Sequence, residues 1–443
     1  MTWQSPISPG YSWYEATTPE RPAFPVMPGS RKADVAIIGG GYTGLQAACN
    51  LARSGTDVTL IDACRFGDGA SGRNGGQFGT GQRVWADETE EVLGREWAQR
   101  LFDMAENAKR YVLGFAEEHA IDIEFMPGQL SVGHKASLER DYRNHVEAMT
   151  ERYGYPHLSF MDREETVSRL GSSHYHFGIR DTGTGHIHPM KLVVGLVREA
   201  ALAGANLYEG TTALKIEKKG GAVVIETTSG TITADRALIA CNGYIGNLEP
   251  VTASHVMPIR SFIGATTVLH GHTGILPGGE SVDDSRFVVR YFRKSKDGRL
   301  LFGGREAYTA DNPREISAHI RRQICEIYPD LADVEITHAW GGSVGITMPR
   351  QPFCREVMPG VTTIGGYSGH GVMLANYCGK LYAELALGKS TELDLLKQLK
   401  IPAFPGGTRF RSALLFLALS WYALRDRSKG KALRDSRRWA QSP

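Results

Sequence analysis

Two glycine-rich runs, with one acid between them, are the residues near the start of this chain best placed to do chemistry. Val35-Ala36-Ile37-Ile38 is an apolar run of the kind a strand buried on both faces would have, and it enters Gly39-Gly40-Gly41-Tyr42-Thr43-Gly44 directly. Leu45, Ala48, Cys49 and Ala52 then recur at i, i+3, i+4 and i+7, and Ser54-Gly55 breaks that helix before Val58-Thr59-Leu60-Ile61. The unit puts a G-x-G-x-x-G turn at a helix N-terminus, which faces phosphates. Gly39 is expected to make the tight turn, Gly41 to admit a pyrophosphate, and Gly44 to let helix and strand pack closely, with Tyr42 and Thr43 in the first helical turn. Asp62, eighteen residues after Gly44 and followed by Ala63, can accept a hydrogen bond from an unphosphorylated ribose. Together these residues predict an extended dinucleotide.

The second run, Gly67-Asp68-Gly69-Ala70-Ser71-Gly72-Arg73-Asn74-Gly75-Gly76-Gln77, follows the acid too soon for another helical crossover. It combines small residues with side chains that hydrogen-bond well, and reads as a loop lying along a long ligand in preference to a flexible linker. Near the other end, Gly365-Gly366-Tyr367-Ser368-Gly369-His370-Gly371-Val372 precedes a helical run of Leu374, Tyr377, Cys378, Leu381 and Leu385. Backbone N–H groups at such a helix start form an anion site. His370 there is read either as a capping or packing histidine or as a proton-transfer group.

On these residues the chain resembles the D-amino-acid oxidase superfamily of FAD enzymes, and S-G-H-G is a recurrent signature of its glycine and sarcosine oxidase branch. More narrowly, GGGYTGL, GASGRNGGQ, GHIHP at 185–189, GYSGHGV, FPGG at 404–407 and YALRDR at 422–427 are similar to those of the gamma-glutamylputrescine oxidases, over nearly the full length. The resemblance implies FAD. It runs Ser71, Gly72, Arg73, Asn74, Gly75, Gly76 and Gln77 past the flavin, sets Ala213 beside the adenine, and adds Gly243, Gly369, His370, Gly371, Val372 and Met373 to the cofactor site.

Two departures from the sarcosine oxidases bear on chemistry. Those enzymes attach flavin through a cysteine in the strand before the final motif, whereas Gly341–Met348 has none, so non-covalent FAD is expected. They also place a lysine two residues after G-H-G, where this chain has Met373, which suits an amine whose reacting carbon bears no carboxylate. The implied reaction is C–N oxidation by hydride transfer to flavin N5, with hydrolysis of the imine to an aldehyde and reoxidation by O2 or another acceptor. With gamma-glutamylputrescine the products would be the gamma-glutamylaminobutyraldehyde, ammonia and H2O2. Candidate catalytic residues are His188, Tyr291 and His370, and candidate substrate contacts are Asn74, Gln77, Tyr244 and Arg305. His188 precedes Pro189 and could equally cap a helix, while Tyr291 and Arg305 could be core or surface ion-pair residues. Alternatives are an oxidase or dehydrogenase of an N-methyl, cyclic or other amino acid (sarcosine, glycine or pipecolate type), or a membrane-associated flavoprotein subunit.

The elements that must position these residues read as α/β plus α+β. The expectation is a discontinuous Rossmann-type FAD-binding domain with a substrate domain built on a large, mostly antiparallel sheet. An arm (1–30) precedes FAD-binding segments at 31–86, 155–253 and 339–400, substrate-domain segments at 87–154 and 254–338, and an apolar helix and basic tail at 401–443. Helices are expected over Glu88–His119, over Lys135–Tyr153 and from Pro189 to Gly204, with short strands around Pro127-Gly128. Thr211–Glu217, Ala222–Thr227 and Thr231–Thr233 read as a meander, Ala237–Cys241 as a separate strand, and Arg299–Gly304 as a central strand of the large sheet.

Composition adds limits. At 443 residues, 42% hydrophobic and 22% charged, with net charge +2, the chain is ordinary globular material with no bulk charge for nucleic acid. Six scattered cysteines without a C-x-x-C predict free thiols in a cytoplasmic protein, with no metal site. The first thirty residues lack a signal-peptide pattern. Arg409–Pro443 holds nine basic residues and a twelve-residue apolar run, Ala413–Leu424, against the roughly twenty a membrane span needs. It reads as a helix packed on the body or another subunit in preference to a membrane-surface helix. Oligomeric state is left open.

Overall fold

The apolar run before the first glycine turn is the buried end of a strand, Arg31–Ile38, whose last four residues are all buried. In the computed structural model, residues 6–307, 313–389 and 391–408 are described, with the backbone alone for 305–307 and 313–314. The expected tail helix and the 422–427 motif therefore lie outside the described residues.

The first sheet runs in the order Phe353–Met358, Val361–Gly365, Gly230–Ile239, Arg31–Ile38, Val58–Ile61, Asn206–Tyr208. Its neighbours are parallel except at the Phe353–Met358 edge. Buried on both faces, these strands read as near-continuous apolar runs. Helices Tyr42–Arg53, Pro189–Leu202 and Gly371–Ala386 share one core with it, including Leu45, Leu196 and Leu381. Pro189 opens its helix and Gly204, at φ +91°, lies just past the end. The meander is present as Ala213–Lys219, Ala222–Thr227 and Gly230–Ile239. The two strands expected at Thr231–Thr233 and Ala237–Cys241 are one strand, because Ala234-Asp235-Arg236 contains no turn residue and pairing with Arg31–Ile38 continues across it.

The second sheet has the order Ile336–Ile346, Met257–Val268, Arg299–Ala307, Tyr291–Lys294, Ser281–Asp284, Met126–Gly133, Phe177–His186, Leu158–Met161. One pair, Ser281–Asp284 with Met126–Gly133, is parallel and the rest are antiparallel. Helix Pro313–Ile327 buries Ile316, Ile320 and Ile324 against it.

Three sequence expectations are corrected. The Pro127-Gly128 turn is a bulge inside one strand, since the register shift falls between Pro127 and Gln129. The helix expected over Glu88–His119 is two, Ala86–Leu93 and Arg95–Glu118, broken where Gly94 takes φ +84°. The domain boundaries also move. Leu158–Met161, Phe177–His186 and Ile336–Ile346 belong to the second sheet, whereas 155–186 and 339–346 are expected in the FAD-binding segments. Strand pairing, which composition does not reveal, decides membership.

An N-terminal arm straps both sheets. Ser8 Oγ lies 3.0 Å from Tyr244 Oη, Met27 N–H donates to Thr211 Oγ1, and the buried Trp13 and Tyr14 sit in the core of the first sheet. No described helix is long and apolar enough to cross a membrane.

Candidate functional site

Gly39 holds φ +107°, and a Cβ there would lie 2.8 Å from the Ala240 carbonyl oxygen. At Gly44 a Cβ would collide with the Gly39 carbonyl, so helix Tyr42–Arg53 can approach the strand only with glycine there. At Gly41 a Cβ would meet only Ser71, with Oγ 2.8 Å away. The first-turn side chains are committed elsewhere: Tyr42 Oη donates to the Pro189 carbonyl and Thr43 Oγ1 lies 2.8 Å from Tyr367 Oη. Their backbone N–H groups, one already held by Ser71 Oγ at 3.0 Å, are what this helix end offers a ligand. Asp62 accepts from Gly40 N–H (2.7 Å) and Cys64 N–H (2.8 Å), and burial pushes its carboxyl up to about 6. Thr211 N–H donates to the Asp62 carbonyl, bringing the start of the meander, with Ala213, beside this acid and the exposed Ala63.

The Ser71–Gln77 loop differs from expectation in what its side chains do. Arg73 is buried and donates to the carbonyls of Gly341 (2.6 Å), Pro9 (2.7 Å) and Gly10 (2.6 Å). Asn74 Nδ2 donates to the Ala70 and Ser71 carbonyls while its Oδ1 accepts from Gly76 N–H. Gln77 Nε2 donates to the Val282 carbonyl at 2.8 Å. Asn74 shapes the loop and Gln77 docks it on the second sheet, so the side-chain nitrogens of both, expected to meet substrate, are bonded within the protein. Long polar side chains in a glycine-rich loop satisfy the backbone that glycine leaves bare. Trp340 Nε1 adds a bond to the Arg73 carbonyl, and a Cβ on Gly75 would lie 2.8 Å from the Tyr291 ring. Gly76, at φ +77°, accepts from Ile187 N–H, and Gly72 is buried against Met190.

His188 is corrected from catalytic candidate to helix cap. Its Nδ1 accepts from Lys191 N–H at 3.3 Å and its Nε2 lies 3.1 Å from Thr17 Oγ1, so both ring nitrogens are occupied. It is 1% exposed between Trp13 and Tyr14, and burial, then Arg293 and Lys191, lower its pKa to about 3. Tyr244 Oη accepts from Ser343 N–H at 2.7 Å and contacts Ser8, which makes it a tie between arm and sheet where a substrate contact was expected. Tyr291 Oη lies 3.1 Å from Ser261 Oγ. Arg305 sits in strand Arg299–Ala307 opposite Phe262. Gly243 is buried against the backbone of Val344 and Gly345.

The second glycine motif meets the first at close range. A Cβ on Gly379 would collide with the Thr43 carbonyl, so helices Gly371–Ala386 and Tyr42–Arg53 are in backbone contact. The side chains of Val372 and Met373 are buried in the shared core, so what these two residues offer a cofactor is their backbone N–H groups. Gly369 is different: it is exposed, at φ +99°, and a Cβ added there would have nothing within 4 Å. His370 Nδ1 beside it is buried and has no hydrogen-bond partner among the described residues. Burial, then Arg83, hold the His370 pKa near 3, so the ring is neutral at pH 7.

Sequence reading missed Arg293, Asn242 and Glu209. Arg293 donates to the Gly75 and Ile187 carbonyls and to Tyr14 Oη, fixing the loop from the second sheet. Asn242, at φ +46°, accepts from Gly366 N–H, and Glu209 accepts from Phe24 and Phe66 N–H. The Asn-Gly pair at 242–243 was a signal for the second; nothing in a single sequence marks the other two. No group of His, Cys, Asp or Glu placed to hold a metal ion occurs among the described residues.

A glycine turn a side chain would fill, an acid at the next strand end, open space at a second helix start and an orphaned buried nitrogen beside it fit a long dinucleotide. The fold and this arrangement define a two-sheet, dinucleotide-dependent oxidoreductase. Residues 34–385 match the family model described as FAD dependent oxidoreductase (DAO), and the chain belongs to that family. It is an FAD-dependent enzyme. It is 98% identical to a probable oxidoreductase, OrdL, of Rhizobium meliloti (strain 1021), over 96% of this chain and all of that one. It is 32% identical to the gamma-glutamylputrescine oxidoreductase of Escherichia coli (strain K12), over 94% of this chain and 98% of that one. The glycine oxidase of Geobacillus kaustophilus shares the fold, with TM-score 0.70 at 23% identity over 83% of this chain and 99% of that one.

Proposed function

We propose that the protein oxidises a C–N bond of gamma-glutamylputrescine, giving the gamma-glutamylaminobutyraldehyde, ammonia and, with O2 as acceptor, H2O2. The full-length match to the relative of that name carries this reading. Met373, fully buried at the position where a sarcosine oxidase is expected to carry a lysine, supports it, because no cation stands at that position to hold a carboxylate on the reacting carbon.

FAD, held without a covalent bond, supplies the two-electron acceptor. Gly39 and Gly44 allow the tight turn and close helix packing, Gly41 would admit its pyrophosphate beside Ser71, and Asp62 could turn from Gly40 N–H to a ribose hydroxyl. Ser71–Gln77, made rigid by Arg73, Asn74 and Arg293, would run along its length. Neutral His370 offers Nδ1 at the helix start, where the N–H groups of Gly371–Met373 favour negative charge. Tyr291, on the second sheet beside Gly75, would orient the substrate.

The test is anaerobic. Gamma-glutamylputrescine should bleach the flavin absorbance, and readmitted O2 should restore it with H2O2 and ammonia formed. Bleaching by sarcosine, proline or pipecolate but not by gamma-glutamylputrescine would sink the substrate assignment. Flavin released on acid precipitation is the expected sign of non-covalent attachment.

A further inference from the structure

The loop that follows Gln77 is tied down by helix Arg95–Glu118 and by Tyr155, whose Oη lies 3.0 Å from Thr80 Oγ1. Thr80 Oγ1 accepts from Lys109 Nζ at 2.9 Å, and Gln82 Nε2 donates to the Leu101 carbonyl at 2.9 Å. Two of the loop's residues are thus pinned to helix Arg95–Glu118, and Lys109 itself is neutralised by Glu106 at 2.8 Å. Gly79 at the head of the loop lies against His370, where a Cβ would be 2.8 Å from Nε2. The next residue, Arg83, is half-buried and makes no hydrogen bond or ion pair among the described residues. A guanidinium carries five donors, so a loop fixed this firmly with its cation left over is prepared for an external acceptor.

Asp283 lies on the strand to which Gln77 docks through Val282, opposite Tyr291 in register. Gln129 Nε2 and Ser131 Oγ both donate to its Oδ1, each at 2.7 Å. The carboxylate is oriented by these two bonds, and Oδ2 has no partner among the described residues. Burial raises the Asp283 pKa, and Arg83 acts against that rise without approaching to ion-pair distance. Both groups therefore belong to the region where this loop leaves the second sheet, at Gln77 and Val282, and passes His370, at Gly79, and each keeps polar capacity unused by the described residues.

We propose that Arg83 and Asp283 form a two-point clamp for a zwitterionic α-amino acid group of the substrate, Arg83 taking its carboxylate and Asp283 its ammonium. The clamp rests on the amine-oxidase reading above and assigns its specificity: a gamma-glutamyl head is held here while the amine at the far end of the chain meets the flavin. Neither group touches the reacting carbon, so both act on substrate binding.

The test uses the full-length FAD-loaded enzyme and three amines: gamma-glutamylputrescine, N-glutarylputrescine, which lacks the α-ammonium, and N-(4-aminobutanoyl)putrescine, which lacks the α-carboxylate. Arg83→Gln should raise KM about ten- to a hundredfold for the first two and leave the third unchanged, the loss of one charged hydrogen-bonded contact. Asp283→Asn should raise KM for the first and third and spare the second. In both, kcat should hold, and Arg83→Lys should recover part of the loss. Equal impairment on all three amines, or no change on any, overturns the clamp while leaving the substrate reading intact. Wild-type enzyme bleached by other amines but not by gamma-glutamylputrescine overturns both together.

Discussion

Two loops follow each other in the chain, Ser71–Gln77 and Gly79–Arg83, and they treat their polar groups in opposite ways. In Ser71–Gln77, Arg73, Asn74 and Gln77 are all bonded to main-chain atoms of the protein itself. In Gly79–Arg83 the loop's anchors are bonded, but Arg83 is left over, and His370 Nδ1 and Asp283 Oδ2 likewise lack partners among the described residues. The difference shows that richness in hydrogen-bonding side chains marks a scaffold as readily as a binding surface. What marks the binding surface is a group whose capacity is unused once the fold is complete.

If this contrast holds, the largest effect belongs to the scaffold's tightest point. Gly44→Val would drive a side chain into the Gly39 carbonyl, and the expected product is insoluble or flavin-free protein, read from flavin absorbance per mole of chain. Arg73→Met should come next. It strips three backbone carbonyls of their donor and should destabilise by about 3–5 kcal/mol, seen as a fall in Tm, with KM unchanged in whatever protein stays folded. A raised KM at unchanged Tm would show instead that Arg73 reaches substrate.

His188→Ala should cost about 1–2 kcal/mol through loss of the cap and leave kcat intact. It also tests a pH dependence. The native His188 pKa lies near 3 and an unfolded histidine titrates at about 6.5, so between these values the unfolded chain binds more protons and stability falls as pH drops. Tm measured over that window should decline less steeply in the His188→Ala variant than in the wild type. Tyr244→Phe removes one hydroxyl that joins the arm to Ser343 and should cost about 1 kcal/mol, with kcat/KM for the amine unaltered. The smallest change in stability is expected for Arg83→Gln, within about 0.5 kcal/mol, since no bond to a described residue is broken. A large Tm drop there would place Arg83 with the scaffold and erase the contrast between the two loops.

Much of the site was legible because it depends on local backbone geometry. Gly39, Gly44 and the strand-helix-strand around them follow from steric limits that act within a few residues, as does the helix opened by Pro189. The same kind of limit acts at Gly94, a helix break that the apolar periodicity on either side of it conceals. Roles that require a partner distant in sequence were not legible. His188 could be read as a cap or a base until Thr17 was found on its other nitrogen, 171 residues away. Arg73 could be read as a flavin contact until Gly341, 268 residues away, took its Nε.

An FAD-type dinucleotide turn, its acid, a second glycine-rich helix start and the mixed two-sheet class are all written in the order of residues, because each is encoded in spacings along one stretch of chain. Which polar side chains are free was settled by the folded chain alone. That property belongs to no residue by itself, since a donor is available to a ligand only when no other part of the protein has reached it first.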